Sequence, residues 1–232
     1  MVKFAYASAR IRAIESKMLS EAQILRMVDS HSFEQAFNIL SETSENLAKL
    51  EKPFDFEALC RLELKGVKEL LDQLAPQNEI ISVIWEKHEI DGEEDKNYLL
   101  KLKQTADKHN VNIFSKYAES FIVLHSLKAS IKQAEVEQAL AKYRYYDCFK
   151  AVNKGLSHFQ KTGSLSVFER EIDNYLMEII KEAKYFVFGI EPLIGYAIAK
   201  EIEIKNLRFV LTAKLLQVPP EQIKERVRIS YV

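Results

Sequence analysis

Six glycines, five histidines and two cysteines limit the chemistry open to this 232-residue chain. The glycines stand at positions 66, 92, 155, 163, 189 and 195. No two are two apart, so the G-x-G-x-x-G turn that offers backbone N–H groups to a pyrophosphate is absent. No two are five apart, so a P-loop is absent, and the spacing also forbids a G-x-S-x-G nucleophile elbow. The histidines are His31, His88, His109, His125 and His158. His88-Glu89 opens as a zinc-binding H-E-x-x-H helix would, but Gly92 occupies the place of the second ligand. A zinc site gathered from distant residues and five ordinary imidazoles at or near the surface both remain open. Asp91-Gly92-Glu93-Glu94-Asp95 could attract a divalent cation, yet it lacks the alternating acids of a calcium loop. The same acids suit a helix start, where the backbone dipole is positive. Cys148 lies in Tyr143-Arg144-Tyr145-Tyr146-Asp147-Cys148-Phe149 with no histidine beside it to draw off its proton. A buried thiol is the expectation there, and the tyrosines with Arg144 suit either a core or a protein interface. These residues give no catalytic, cofactor-binding or metal site.

Charge and composition exclude further classes. Lys and Arg total 33 against 34 for Asp and Glu, a net charge of −1. A nucleic-acid binder would carry a basic excess. Hydrophobic residues are 47% and charged residues 29%, the profile of a folded globular protein. The most apolar stretch, Tyr185–Ala199, is interrupted by Glu191 and Pro192 and falls short of the roughly 20 residues that cross a bilayer. With Cys60 and Cys148 forming no C-x-x-C pair, and an N-terminus without an apolar core of the signal type, a reduced cytoplasmic setting is expected. Six glycines and five prolines are too few for the turns of a sheet protein, so the composition predicts helices.

The elements follow from periodicity and punctuation. Phe4, Ala7, Ile11, Ile14, Met18, Leu25 and Val28, with one skip at Glu21, draw an apolar stripe along one long helix. Ser32-Phe-Glu-Gln35 reads as a capping box before a second helix that buries Phe33, Ala36, Phe37 and Leu40. Pro53 is expected to start a third, with Phe56, Leu59, Leu70, Leu71 and Leu74 inward. Ala75–Asn78 reads as a turn, and a short helix follows to Asp91-Gly92. Several helices are expected between Gly92 and Gly155, broken near His109–Asn112 and Ser130–Ala134. Gly155 and Gly163 are expected to bracket a loop, and Ser166-Val-Phe-Glu169 to cap a helix through Ile172, Leu176, Ile179, Ala183 and Phe186. Gly189 and Pro192 would then frame the last long helix, ended by Pro219-Pro220, with EQIKERV helical and Arg228–Val232 extended. A shift of 114 residues matches Phe54, Glu57, Leu62, Ile80, Ile84, Glu89 and Ile90 with identical residues from Phe168 to Ile204. It suggests two related helical modules, 1–110 and 111–232, in an all-α fold.

Lys200-Glu-Ile-Glu-Ile-Lys-Asn-Leu-Arg208, Ala213-Lys214 and Pro220–Val232 resemble the C-terminus of the C-subunit family of V-type/A-type ATPases, whose eukaryotic counterpart is the d subunit. Tyr6–Leu19, Ser32–Leu40 and Thr43 resemble that family's opening helices. The two ends cover about a third of the chain, and the middle matches only in helical character. The resemblance implies a non-catalytic subunit of a rotary ATPase, built of repeated helical modules. It would couple the central rotor stalk to the membrane proteolipid ring during proton or sodium transport. The implied partners are the central-stalk subunits and that ring, with no nucleic acid, small-molecule substrate or cofactor. The implied location is cytoplasmic, at the membrane through the complex. Family members usually have three modules around a funnel, and this chain has room for two.

Lys205, Asn206 and Arg208 match the family motif and are the candidate partner-binding residues. Arg10 and Arg12 join them, with Glu15 beside them. From residue types alone, a helix tied together by internal ion pairs and one offering charge to a partner stand level. A generic helical adaptor of another complex, or an enzyme with a scattered metal or thiol site, are the rival readings.

Overall fold

The computed structural model describes residues 4–40, 44, 46, 49–50, 55–86, 96–132 and 148–232. The fold is all-α: eleven α-helices and no strand among the described residues. The chain divides into two compact units, Met1–Gln77 with Lys184–Val232, and Asn78–Ala183. The expected division at residue 110 runs inside the second unit, between two helices that pack on each other. The stretches paired by the 114-residue shift each have one helix in either unit, so they do not coincide with the units.

In the first unit α1 (Ala5–Glu15) and α2 (Glu21–Asp29) replace the single long helix expected. The break is built locally. Ser20 accepts from the Gln23 N–H and Gln23 Oε1 accepts from the Ser20 N–H, a complete capping box that opens α2. Ser32 caps α3 (Phe33–Ile39) by accepting from Gln35 N, while the Gln35 side chain bonds the N–H of His31 instead of closing the box on Ser32. Helix α4 (Phe56–Leu74) is capped by Asp55, and the expected start at Pro53 lies outside the described residues. It buries Leu59, Cys60, Val67 and Leu71, with Leu70 and Leu74 only half-buried.

The central member is the 25-residue α10 (Glu191–Leu215), with Pro192 in its first turn. It packs on α1, α2, α3 and α4. Its Leu207, Val210 and Leu211 join Ile24 and Val28 of α2, Phe37 of α3 and Leu59 of α4 in one apolar cluster. The short α11 (Pro220–Lys224) packs on α2, and the residues after Lys224 run without regular structure to Val232.

In the second unit α5 (Glu79–Glu86) packs on α6 (Lys96–His109), α6 on α7 (Asn112–Lys132), and α9 (Ser166–Lys181) on both α7 and α8 (Phe149–Thr162). The expected break near His109–Asn112 is present, and Asn110 adopts a positive φ there. Gly155 does not border a loop: it sits within α8, where a Cβ would stand 2.5 Å from the Cα of Phe168. It is a contact glycine that lets two helix backbones approach closely. Gly163, at φ 68°, is the true end of α8, its N–H bonded to Phe159 O. Ser166 is the first residue of α9 and not its cap, and α9 stops at Lys181, short of Ala183 and Phe186. The end of the fourth expected helix, His88 and the acidic cluster lie outside the described residues, as does Tyr143–Asp147.

Candidate partner-binding site on the last long helix

Helix α10 interleaves charged and apolar residues because its polar side chains do different work on different faces. Lys200 is turned inward, its Nζ 3.0 Å from Glu63 Oε2 of α4 and 2.5 Å from Glu203 Oε1. Glu63 also accepts from Ser44 Oγ at 2.6 Å and Asn46 Nδ2 at 3.0 Å. Burial works against the Glu63 carboxylate, but the Lys200 charge and these hydrogen bonds outweigh it and hold the acid below its usual range. Burial likewise opposes the Lys200 ammonium, and the two carboxylates reverse the effect and keep it charged well above the ordinary lysine range. Glu203 Oε2 accepts from the Leu19 N–H at 2.7 Å, in the gap between α1 and α2. Lys214 donates to Ser30 O at 2.7 Å, after α2. Each of these groups fixes α10 to a segment far away in sequence.

The motif residues divide in the same way. Asn206 is 1% exposed. Its amide donates to Arg228 O and accepts from Arg228 N, both at 2.9 Å, so it pairs the C-terminal tail as a neighbouring strand would. Lys205 is half-exposed and lies 3.4 Å from Glu201, one turn earlier. Arg208 is half-exposed with its Nε 3.3 Å from Glu57 Oε2, bridging to α4. Burial pushes the thiol of nearby Cys60 up to about 11 against the pull of the Arg208 charge, leaving it an inert core group at neutral pH.

On α1, Arg10 is exposed, whereas Arg12 is committed to its own unit. Arg12 Nη1 pairs with both oxygens of Glu15, at 3.0 and 2.7 Å, and Nη2 donates to Phe186 O at 3.0 Å. The buried Tyr231 side chain lies against this pair, and burial together with the Glu15 charge raises its hydroxyl above the usual range. Lys184 donates to Tyr231 O and stands 4.5 Å over its ring. The five candidates are thus two sets: Lys205, Arg208 and Arg10 show charge at the surface, and Asn206 and Arg12 hold the tail and the Phe186 loop from behind. Sequence reading missed Glu63, Lys200 and Glu203, the polar centre of the unit. Lys200 and Glu203 stood within the motif, but nothing local marked Glu63 as their partner.

Among the described residues there is no group of three or more His, Cys, Asp or Glu that could hold a metal, and no helix long and apolar enough to cross a membrane. Cys148 is buried at the start of α8.

A family model described as ATP synthase (C/AC39) subunit matches residues 7–93 and 99–226. The chain is 22% identical over 242 aligned positions to the C subunit of the A-type ATP synthase of Methanocaldococcus jannaschii, covering 99% of this chain and 59% of that protein. It is 24% identical to the C subunit of the A-type ATP synthase of Haloferax volcanii, covering 99% of this chain and 69% of the relative. Over 59 positions it is 41% identical to the C subunit of the V-type sodium ATPase of Enterococcus hirae, a match that covers 25% of this chain and 18% of that protein. The chain therefore spans little more than half the length of the Methanocaldococcus relative.

Proposed function

The chain belongs to the ATP synthase (C/AC39) subunit family, and on that premise we propose that it is a non-catalytic coupling subunit of a rotary V/A-type ATPase. In this reading it joins the central rotor stalk to the membrane proteolipid ring, so that torque passes between the ATP-driven head and the ion-carrying ring. The observation that carries the reading is the family match, which runs from residue 7 to residue 226 through both compact units. The internal build supports it. A coupler needs stiffness and surfaces, not reactive groups, and close-packed helices transmit strain with little compliance. Helix α10 is fixed by buried ties to α4, the C-terminal tail and the residues that follow α2.

The partners are then the central-stalk subunits and the ring, with neither nucleic acid nor a small-molecule substrate, and the protein sits at the cytoplasmic membrane face through the complex. Lys205, Arg208 and Arg10 are the residues assigned to partner contact, while Asn206 holds the C-terminal tail and Arg12 the Phe186 loop. The test is to mix the full chain with its organism's central-stalk subunits and detergent-solubilised ring and follow co-migration. Association with either is expected, and association with neither would overturn the reading.

A further inference from the structure

Helix α8 carries Lys150, Lys154, His158 and Lys161 and no acid, alone in this among the described helices of more than ten residues. At about 100° per residue, Lys150, Lys154, Ser157 and Lys161 fall within an arc of about 60°. Val152, Gly155 and Leu156 are buried and point the other way, and α8 packs on α9. The lysines therefore form a straight stripe opposite the packed face, and all three are exposed. The fold gains little from them. Lys150 stands in the first turn, where the helix dipole is positive, and neither an acid there nor a side-chain cap offsets it. Neither Lys150 nor Lys161 has an ion pair among the described residues. Lys154 lies 3.0 Å from Glu171 yet stays 65% exposed, and Glu171 is already held by Arg170 at 2.5 Å.

We propose that this stripe docks an acidic helix of a partner protein, one whose carboxylates recur along a single face at the same helical spacing. The charge of the stripe selects an anionic partner, and its geometry selects a helical one. Lys150 to Lys161 spans about 16 Å along the axis. A helix with acids at i, i+4 and i+11 meets all three lysines at once across the roughly 8–10 Å that separates packed helices. No large apolar side chain stands exposed on α8 to enter a lipid surface, and no exposed aromatic ring is there to stack a base. Gly155 brings α8 close against Phe168 of α9, so the stripe is presented on a firmly seated helix. Exposed ion pairs contribute little each, so the contact is weak and salt-sensitive and serves mainly to orient the partner and speed its encounter. Helix α8 belongs to the second unit, whereas Lys205, Arg208 and Arg10 belong to the first, so the stripe is a contact additional to theirs.

The test uses the full chain and two fluorescently labelled, alanine-rich helical peptides of one composition. One carries three glutamates at i, i+4 and i+11, and the other carries them spread around the helix. At low salt, wild type is expected to bind the striped peptide at least about threefold more tightly than the other, read by fluorescence anisotropy. Lys150→Glu/Lys161→Glu should weaken that binding about tenfold. Its melting temperature should change little, because the acid gained at the positive end of α8 offsets the one gained at its negative end. Arg61→Glu/Lys103→Glu makes the same change in net charge at exposed cations elsewhere and should bind as wild type does. Equal affinity for the two peptides overturns the proposal, as does a control pair that weakens binding as much as the α8 pair. So does wild type that binds neither peptide, or that binds a short DNA duplex or phosphatidylglycerol vesicles more tightly than the striped peptide and loses that binding in the α8 variant. The peptides contain no ATPase component, so this result and the co-migration result stand or fall separately.

Discussion

Lys200 sits between two carboxylates inside the first unit, and its removal shows what a buried ion cluster is worth. Lys200→Met would leave Glu63 and Glu203 facing each other with no cation, and a loss of about 3–5 kcal/mol in urea unfolding is expected. The pH dependence follows from the directions of the two shifts. Glu63 is held below the usual carboxylate range, so its contribution is complete above that range and disappears as pH falls through the lowered value. Lys200 is held above the usual lysine range, so its contribution is complete at neutral pH and fades only as pH rises through the raised value. The cluster thus stabilises at neutrality and fails first in acid. Urea midpoints should fall between neutrality and about pH 3, and Glu63→Gln, though less stable at neutral pH, should flatten that acid limb. Asn206 makes a separate case. Asn206→Ala strands both the N–H and the C=O of Arg228, so about 2–3 kcal/mol should be lost. Hydrogen exchange should quicken at Arg228, with the global loss read from the urea midpoint.

Two glycines inside helices are expected to respond in opposite directions. Gly155 faces Phe168, and Gly155→Ala would drive a Cβ to 2.5 Å from its Cα, so α8 and α9 must part. A loss of about 3 kcal/mol is expected. Gly66 is exposed in the middle of α4 with nothing within 4 Å of a Cβ, so Gly66→Ala should gain about 0.5–1 kcal/mol through helix propensity. Thermal melts of the two variants beside wild type decide the pair, and equal shifts would overturn the packing account of Gly155. The same glycine shows where sequence reading stopped. Read locally, a glycine among polar residues signals a loop; only the α9 backbone opposite explains it. The α1–α2 break was legible, since Ser20-Glu-Ala-Gln23 is a capping box and the apolar stripe skips at Glu21, but the stripe's continuity hid it. Ser166-Val-Phe-Glu169 carried the same signature without forming the cap, because Ser166 already lies within α9.

At the scale of the molecule, the first unit is assembled from the two ends of the chain, and its ties join residues some 140 to 180 positions apart, such as Glu63 with Lys200 and Leu19 with Glu203. This explains why helical class and the importance of α10 could be read from sequence while the facing of its charges could not. Periodicity marks which residues are apolar, but the partner of a buried charge on α10 is supplied by another segment. The distinction between inward and outward charges can be tested in the assembled complex. Arg10→Glu/Lys205→Glu/Arg208→Glu reverses three charges that reach the surface; Arg10→Glu should move stability by only about 0.5 kcal/mol, whereas Lys205→Glu and Arg208→Glu also set a second carboxylate beside Glu201 and Glu57 and should lower the melting temperature. If these cations meet the stalk or ring, the triple variant should bind at least about tenfold more weakly, with most of the loss in the association rate and a flatter salt dependence. Asn206→Ala should lower the melting temperature yet keep near wild-type affinity in the molecules that remain folded, because its amide is used on the tail. Binding kinetics at two salt concentrations, together with melting curves of both variants, separate the two roles. A triple variant that binds as wild type does would show that α10 serves the complex through stiffness alone, with the contact surface elsewhere.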